Sequence, residues 1–339
     1  MITEKTFGTT EEGKKVTAFT LRDGENSAVI LNYGGIVQSL QIVAHGKKYN
    51  VVLGYKTVAD YESFGGYLGA FIGRVGNRIE KGRFSLDDAE YRLNLNDGNN
   101  HLHGGLKGFN AKLMDAEIED EELVLSALSA DGEEHYPGNL RMEVRYSLCG
   151  GEFKIEYTAK SDRKTLINFT NHSYFNLDGA GSSTVLDHVL TIDADRVTPS
   201  DRELIPHGEF RNVEGTAFDF RKPKKIGKDI DADDEDIRNG GGYDINYVCN
   251  GRGSFRKIAE VAGANSGIFM ELYTDLPGVQ FYSGNMLDNT YYKKREGFCL
   301  ETQYLPNAVN CPAYAELGNP VYDKNQIYHT VTVYKFIVK

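Results

Sequence analysis

Residues 140–159 read LRMEVRYSLCGGEFKIEYTA. Leu140, Met142, Val144, Tyr146 and Leu148 alternate with Arg141, Glu143, Arg145 and Ser147, and Phe153, Ile155, Tyr157 and Ala159 repeat the pattern after Cys149-Gly-Gly-Glu152. A period of two is the signature of a strand with one buried and one wet face, and the glycine pair between two such runs marks a hairpin. Antiparallel sheets commonly show this alternation.

The same reading extends outward from the hairpin. Val16–Leu21, Ala28–Asn32, Ile36–Val43, Tyr91–Leu95, Leu123–Leu128, Ile268–Thr274, Val279–Tyr282 and Tyr328–Val338 are predicted strands. The last, YHTVTVYKFIV, is apolar on both faces and is expected at the centre of a sheet. Helical signal is thin: Val58–Phe64 and the acidic stretch around Asp231–Arg238 are each expected to give a short helix. The 37 glycines are spread along the chain and supply the turns that many short strands need. Strand signal continues to the C-terminus with no linker, low-complexity tract or fixed-period repeat. The expectation is an all-β fold, one large antiparallel β-sandwich occupying residues 1–339 as a single domain.

Composition excludes several classes. The formal net charge of −11 offers no basic stripe for a nucleic-acid backbone and disfavours an anionic membrane surface. No run approaches the length of a membrane helix, and the first fifteen residues lack the apolar stretch of a secretory leader. Cys149, Cys249, Cys299 and Cys311 are far apart and form no CxxC pair, so free thiols in a reducing cytoplasm are expected.

Several polar clusters interrupt the strands. Asn171-His-Ser-Tyr-Phe-Asn-Leu177 sets a titratable ring in what reads as a half-buried strand, so His172 is either a core histidine or a proton carrier. His101-Leu-His103-Gly-Gly105 puts two imidazoles on one face if extended. A metal site, a structural pair and a polar ligand site are all open there, although no third ligand has a matching local spacing. Gly104-Gly105 favours a ligand approaching bare backbone. Gly73-Arg-Val-Gly-Asn-Arg-Ile79 is a solvated turn or a polar clamp, with Asn77 and Arg78 as directional donors.

In Gly297-Phe-Cys-Leu-Glu-Thr-Gln303, Phe298 and Leu300 face one way while Cys299, Glu301 and Gln303 face the other. An acid in so apolar a run is either exposed by the alternation or buried with its pKa raised. Asp244 follows a triple glycine, and Gln280 interrupts an apolar strand; each has a plain structural reading as well as a ligand-binding one. No GxSxG elbow, dinucleotide fingerprint or kinase loop occurs.

Taken in order, RVGNRI, LHGG, NHSYFNL, GYDINY, GVQFYSGN and CLETQYLPNAVN resemble the galactose mutarotase (aldose 1-epimerase) family. The resemblance runs from residue 74 to residue 310 and implies a single antiparallel β-sandwich. It implies Glu301 as general base and His172 as general acid, with Asn77, Arg78, His103, Asp244 and Gln280 holding the sugar. His101 and Arg74 receive no role from it.

The implied reaction is interconversion of the α and β anomers of free aldoses such as galactose and glucose, with no cofactor and no metal. The implied partner is a small neutral sugar, and a cytoplasmic monomer or homodimer is expected. Three rivals share parts of this pattern. A carbohydrate-binding module usually presents tryptophan, and the chain has none. A hexose-6-phosphate epimerase would need further cations, for which Arg74 is a candidate. A glycosidase would use Asp244 and Glu301 as a carboxylate pair.

Overall fold

The computed structural model describes residues 1–251 and 253–339. The 140–159 hairpin is present, with Leu140–Cys149 paired to Glu152–Ser161 in register from Leu140↔Ser161 to Cys149↔Glu152. It lies within a nine-stranded sheet ordered Asp115–Glu119, Glu122–Ser129, Leu140–Cys149, Glu152–Ser161, Ile327–Val338, Ile268–Thr274, Arg256–Ala262, Val189–Ile192, Lys224–Lys225. Ile327–Val338 is paired on both sides, as its double apolar pattern predicted.

Two five-stranded sheets and several two-stranded ribbons accompany the nine-stranded sheet among the described residues. One five-stranded sheet is N-terminal: Ile2–Thr9, Lys15–Asp23, Asn26–Leu31, Val37–Ala44, Lys47–Asn50. The other runs Arg211–Asn212, Ala194–Thr198, Asp244–Cys249, Gly278–Tyr282, Cys299–Gln303. Ladders in all three sheets are antiparallel. Leu21 and Ile30 from the N-terminal sheet, Val144 and Ile155 from the large sheet, and Phe281 and Leu300 from the third meet in one buried cluster. Face-to-face sheets sharing such a core make a β-sandwich.

Helices are few and short. Val58–Phe64 starts where Thr57 accepts from Asp60 N and Asp60 reaches back to Thr57 N, a reciprocal cap. The acidic stretch forms Glu235–Gly240, beginning later than expected because Asp234 is its cap; Gly241 (φ 64°) ends it.

Two sequence expectations need correction. The Tyr91–Leu95 strand is Ala89–Arg92, and Leu95 turns outward, 48% exposed. The NHSYFNL stretch is not a half-buried strand. Thr170–Asn171 pairs with Phe71–Ile72, Phe175 makes single bridges to Val52 and Phe298, and residues 171–177 are buried throughout. Its backbone groups bond instead to separate segments: His172 N to Ala70 O, Phe175 N to Phe298 O, Asn176 N to Val51 O. The stretch threads between neighbours that approach from both sides, which leaves neither side wet.

Candidate active site

The third sheet has two chemically different faces. The Asp244–Cys249, Gly278–Tyr282 and Cys299–Gln303 strands align Asn246, Gln280 and Glu301 as one rung, with Asp244, Tyr282 and Cys299 as the next. Residues in register point to the same side. Tyr247, Val279, Phe281 and Leu300 point the other way into the core. One face is thus packed hydrocarbon and the other is polar, buried and lined by a carboxylate.

Cys299–Gln303 is the outermost strand of this sheet. Phe175 bridges Phe298 just before it and lays the 171–177 stretch beside it. His172 is thereby brought to Glu301 across 129 positions of sequence, with Nε2 3.7 Å from Glu301 Oε1. Both side chains are almost wholly buried. Nδ1 of His172 is 3.5 Å from Cys299 Sγ.

His103 forms the third wall. Its ring packs edge-on against His172, centroids 5.2 Å apart. Asn77 N donates to His103 Nδ1 at 3.1 Å, which leaves the ring proton on Nε2. Asn77 also fixes the His103 turn through its backbone, its O accepting from His103 N, and its Oδ1 accepts from Arg78 N, while its Nδ2 bonds nothing among the described residues. Arg78 is fixed by Asp97, Nε to Oδ2 2.7 Å, and its two Nη groups bond nothing among the described residues. Gln280 Nε2 donates to Asp244 Oδ1 at 2.7 Å.

Burial dominates the electrostatics. It pushes Glu301 well above the usual carboxylate range; Asp244 pushes the same way and Arg78 opposes. Asp244 is raised chiefly by burial, against Arg78 and the Gln280 hydrogen bond. Burial lowers His172 to about 4, partly offset by a hydrogen bond with its own backbone, and holds His103 well below its ordinary value. All these shifts disfavour charge in a dry site.

His103, His172 and Glu301 each bring one ligand atom within 4.8 Å of the others. The partners that local spacing did not supply for a metal are therefore gathered by the fold. The donor set nonetheless suits a hydroxylated ligand better than a cation. Asn77 N–H occupies His103 Nδ1, so His103 offers an N–H where a metal needs a lone pair.

The HxH pair is split, so the common face that an extended stretch would give does not form. His103 takes a left-handed backbone (φ 51°), so the chain is not extended there. His101 turns away, its Nδ1–H donating to Asn94 O and its Nε2 accepting from Tyr136 OH, both 2.7 Å. The adjacent glycines serve packing rather than ligand approach. A Cβ on Gly104 (φ +86°) would lie 1.8 Å from Gly73 O, and one on Gly105 would lie 2.1 Å from Glu134 Oε2. Arg74 is buried too, donating to Ser129 Oγ and to the carbonyls of Ser129, Ala130, Pro137 and Gly138.

Sequence reasoning missed Tyr67, whose ring stacks on His172 (centroids 5.8 Å) and meets His103 edge-on (4.8 Å). It also missed Asn96, which holds the 102–105 turn through Leu102 N, Leu102 O and Gly105 O. Neither has a distinguishing local pattern; only the folded neighbours reveal them.

Residues 17–335 match the model of the Aldose 1-epimerase family. The chain belongs to the aldose 1-epimerase family. It is 42% identical to galactose mutarotase of Bos taurus, with 99% of each chain covered, and 35% identical to aldose 1-epimerase of Escherichia coli K12, with 97% of each covered. The crystal structure of galactose 1-epimerase from Lactobacillus acidophilus NCFM superposes with a TM-score of 0.87 at 26% identity, covering 100% of this chain and 99% of that one. The epimerase family fold is thus the sandwich described above.

Proposed function

We propose that this protein is an aldose 1-epimerase acting on free aldohexoses such as galactose and glucose, with residues 1–339 forming one such domain. The observation that carries the reading is the 3.7 Å approach of His172 Nε2 to Glu301 Oε1 in a buried polar recess. The hydroxyl at C1 and the ring oxygen share one carbon, so an acid and a base this close can reach both.

Glu301 takes the proton of the C1 hydroxyl and His172 gives one to the ring oxygen. The C1–ring oxygen bond breaks and an aldehyde forms. Rotation about C1–C2 presents the other carbonyl face, and the ring recloses with the proton transfers reversed. Each cycle starts and ends with one proton on the pair. Burial favours the neutral arrangement, carboxylic acid beside imidazole, whereas a bound sugar's hydroxyls favour carboxylate beside imidazolium. Both arrangements hold the same proton count, so the pair titrates as a unit.

In this reading the sugar's hydroxyls are held by the Asn77 amide, Arg78 with Nη groups that bond nothing among the described residues, His103 Nε2–H and the Asp244–Gln280 pair. The phosphosugar rival loses its candidate cation, since Arg74 is buried with its Nε on the Ser129 hydroxyl and its Nη groups on carbonyls.

Polarimetry on freshly dissolved α-galactose tests the proposal. The wild type is expected to speed the rotation change, and folded His172→Ala and Glu301→Gln variants to lose about 10²–10⁴-fold each. Wild-type rates equal to the uncatalysed reaction, with galactose bound, would favour the carbohydrate-binding alternative.

A further inference from the structure

Below the Glu301–Gln280 pair, the same polar face carries two amides to which nothing above gives a task. Asn246 is the cross-strand partner of Gln280, which in turn partners Glu301. Gln303 is two residues beyond Glu301 on the same strand and so shares its face. Asn246 is 2% exposed and Gln303 0%. They share one long hydrogen bond, Gln303 Nε2 to Asn246 Oδ1 at 3.4 Å.

That bond leaves much unsatisfied. Asn246 Nδ2, Gln303 Oε1, Glu301 Oε2 and the Oε1 of the intervening Gln280 are all buried with no partner among the described residues. Leaving a buried polar group unpaired is costly, and an apolar face would fold without that cost. Gly278, opposite Gln303, makes room for the arrangement, because a Cβ there would stand 2.7 Å from Asn246 Oδ1. One donor and three acceptors on one face supply the two to four partners that hold a buried water.

We infer that Asn246 and Gln303 are positioning residues that seat an ordered water beneath Glu301. The water accepts from Asn246 Nδ2 and donates to Gln303 Oε1 and Glu301 Oε2. A hydrogen bond donated to the carboxylate favours its ionised form. The amides therefore supply, inside a dry site, part of the solvation that lets Glu301 act as a base. This rests on Glu301 being the base, as proposed above.

The consequence has a sign. In Gln303→Met or Asn246→Leu the neutral arrangement of the Glu301–His172 pair gains weight. The expected result is a roughly ten-fold lower kcat across the neutral plateau with KM little changed. The alkaline limb moves to higher pH, because the last proton leaves Glu301 less readily. The acid limb, set by His172, stays in place. Asn246→Ser, which keeps a donor, is expected to restore most of kcat. A merely structural role would lower stability without moving the alkaline limb.

The wild-type crystal structure at high resolution gives a second readout independent of how the variants fold. A water bonded to Asn246 Nδ2, Gln303 Oε1 and Glu301 Oε2 is expected. A dry recess, or a folded Gln303→Met enzyme with an unmoved alkaline limb, overturns the inference. If Glu301→Gln itself retained full activity, the catalytic reading would fall instead, and the two failures are distinct.

Discussion

Glu301 and His172 have opposite shifts for the same reason, since burial penalises carboxylate and imidazolium alike. The pH dependence follows. The pair is active while it holds one proton. Activity falls at low pH when both groups are protonated, near or below the value of about 4 to which His172 is driven. At high pH it falls once the last proton leaves Glu301, well above the ordinary carboxylate range. A pH–rate profile by polarimetry is expected to keep its acid limb near or below about 4; an acid limb near an unperturbed imidazole value, about 6.5, would contradict this. Arg74 gives a contrasting case. Arg74→Met leaves four carbonyls that it now serves without a donor, and a loss in urea unfolding of about 1–3 kcal/mol for each that stays unpaired is expected. Whatever enzyme remains folded should turn over normally, because Arg74 bonds the 129–138 turn and no proposed sugar ligand. Both outcomes concern residues visible in the sequence. The alternation of Phe298 to Gln303 correctly separated the Glu301 face from the Leu300 face. It could not tell that the Glu301 face is also buried, because the cover comes from residues 171–177, far away in the chain.

At the scale of elements, legibility followed how local the cause was. The 140–159 hairpin and Ile268–Thr274 are fixed by alternation within their own residues and were read with nearly their observed limits. Ile2–Thr9, ITEKTFGT, was not recognised, since it is a largely exposed strand whose pairing with Lys15–Asp23 defines it. His101–Leu102 is extended and paired with Arg78–Ile79, but the chain turns at His103 because its geometry is imposed by Gly73 O, Asn96 and Glu134 from elsewhere, which local spacing could not show. Gly104→Ala tests that account. The added methyl meets backbone at a left-handed φ, so the turn must shift and carry His103 with it. A KM for galactose raised ten-fold or more is expected, with a stability loss of about 1–3 kcal/mol; unchanged KM and melting would show that the turn yields freely.

Across the whole molecule, four of the eight histidines are buried and driven low: His101, His172 and His188 to about 4, and His103 well below its ordinary value. A group whose folded pKa lies below its unfolded value binds more protons when unfolded as pH falls. Stability is therefore fully present above about pH 6.5 and is lost on descending towards 4. Each fully shifted ring contributes on the order of 3 kcal/mol over that window. Urea unfolding at pH 7 and pH 4.5 is expected to differ by several kcal/mol. His188→Gln, which removes one such ring from its bond with Leu177 N, is expected to shrink the difference; equal stability at the two pH values would contradict the assignment of neutral buried rings.

The sandwich matters to chemistry because it places residue 172 against residue 301 and makes them one proton-sharing unit. A double-mutant cycle by polarimetry on α-galactose measures that most directly, using His172→Ala, Glu301→Gln and both together. If the pair works as a unit, the double variant is about as slow as the slower single one. If the two losses multiply, each residue acts alone and the shared-proton account is wrong.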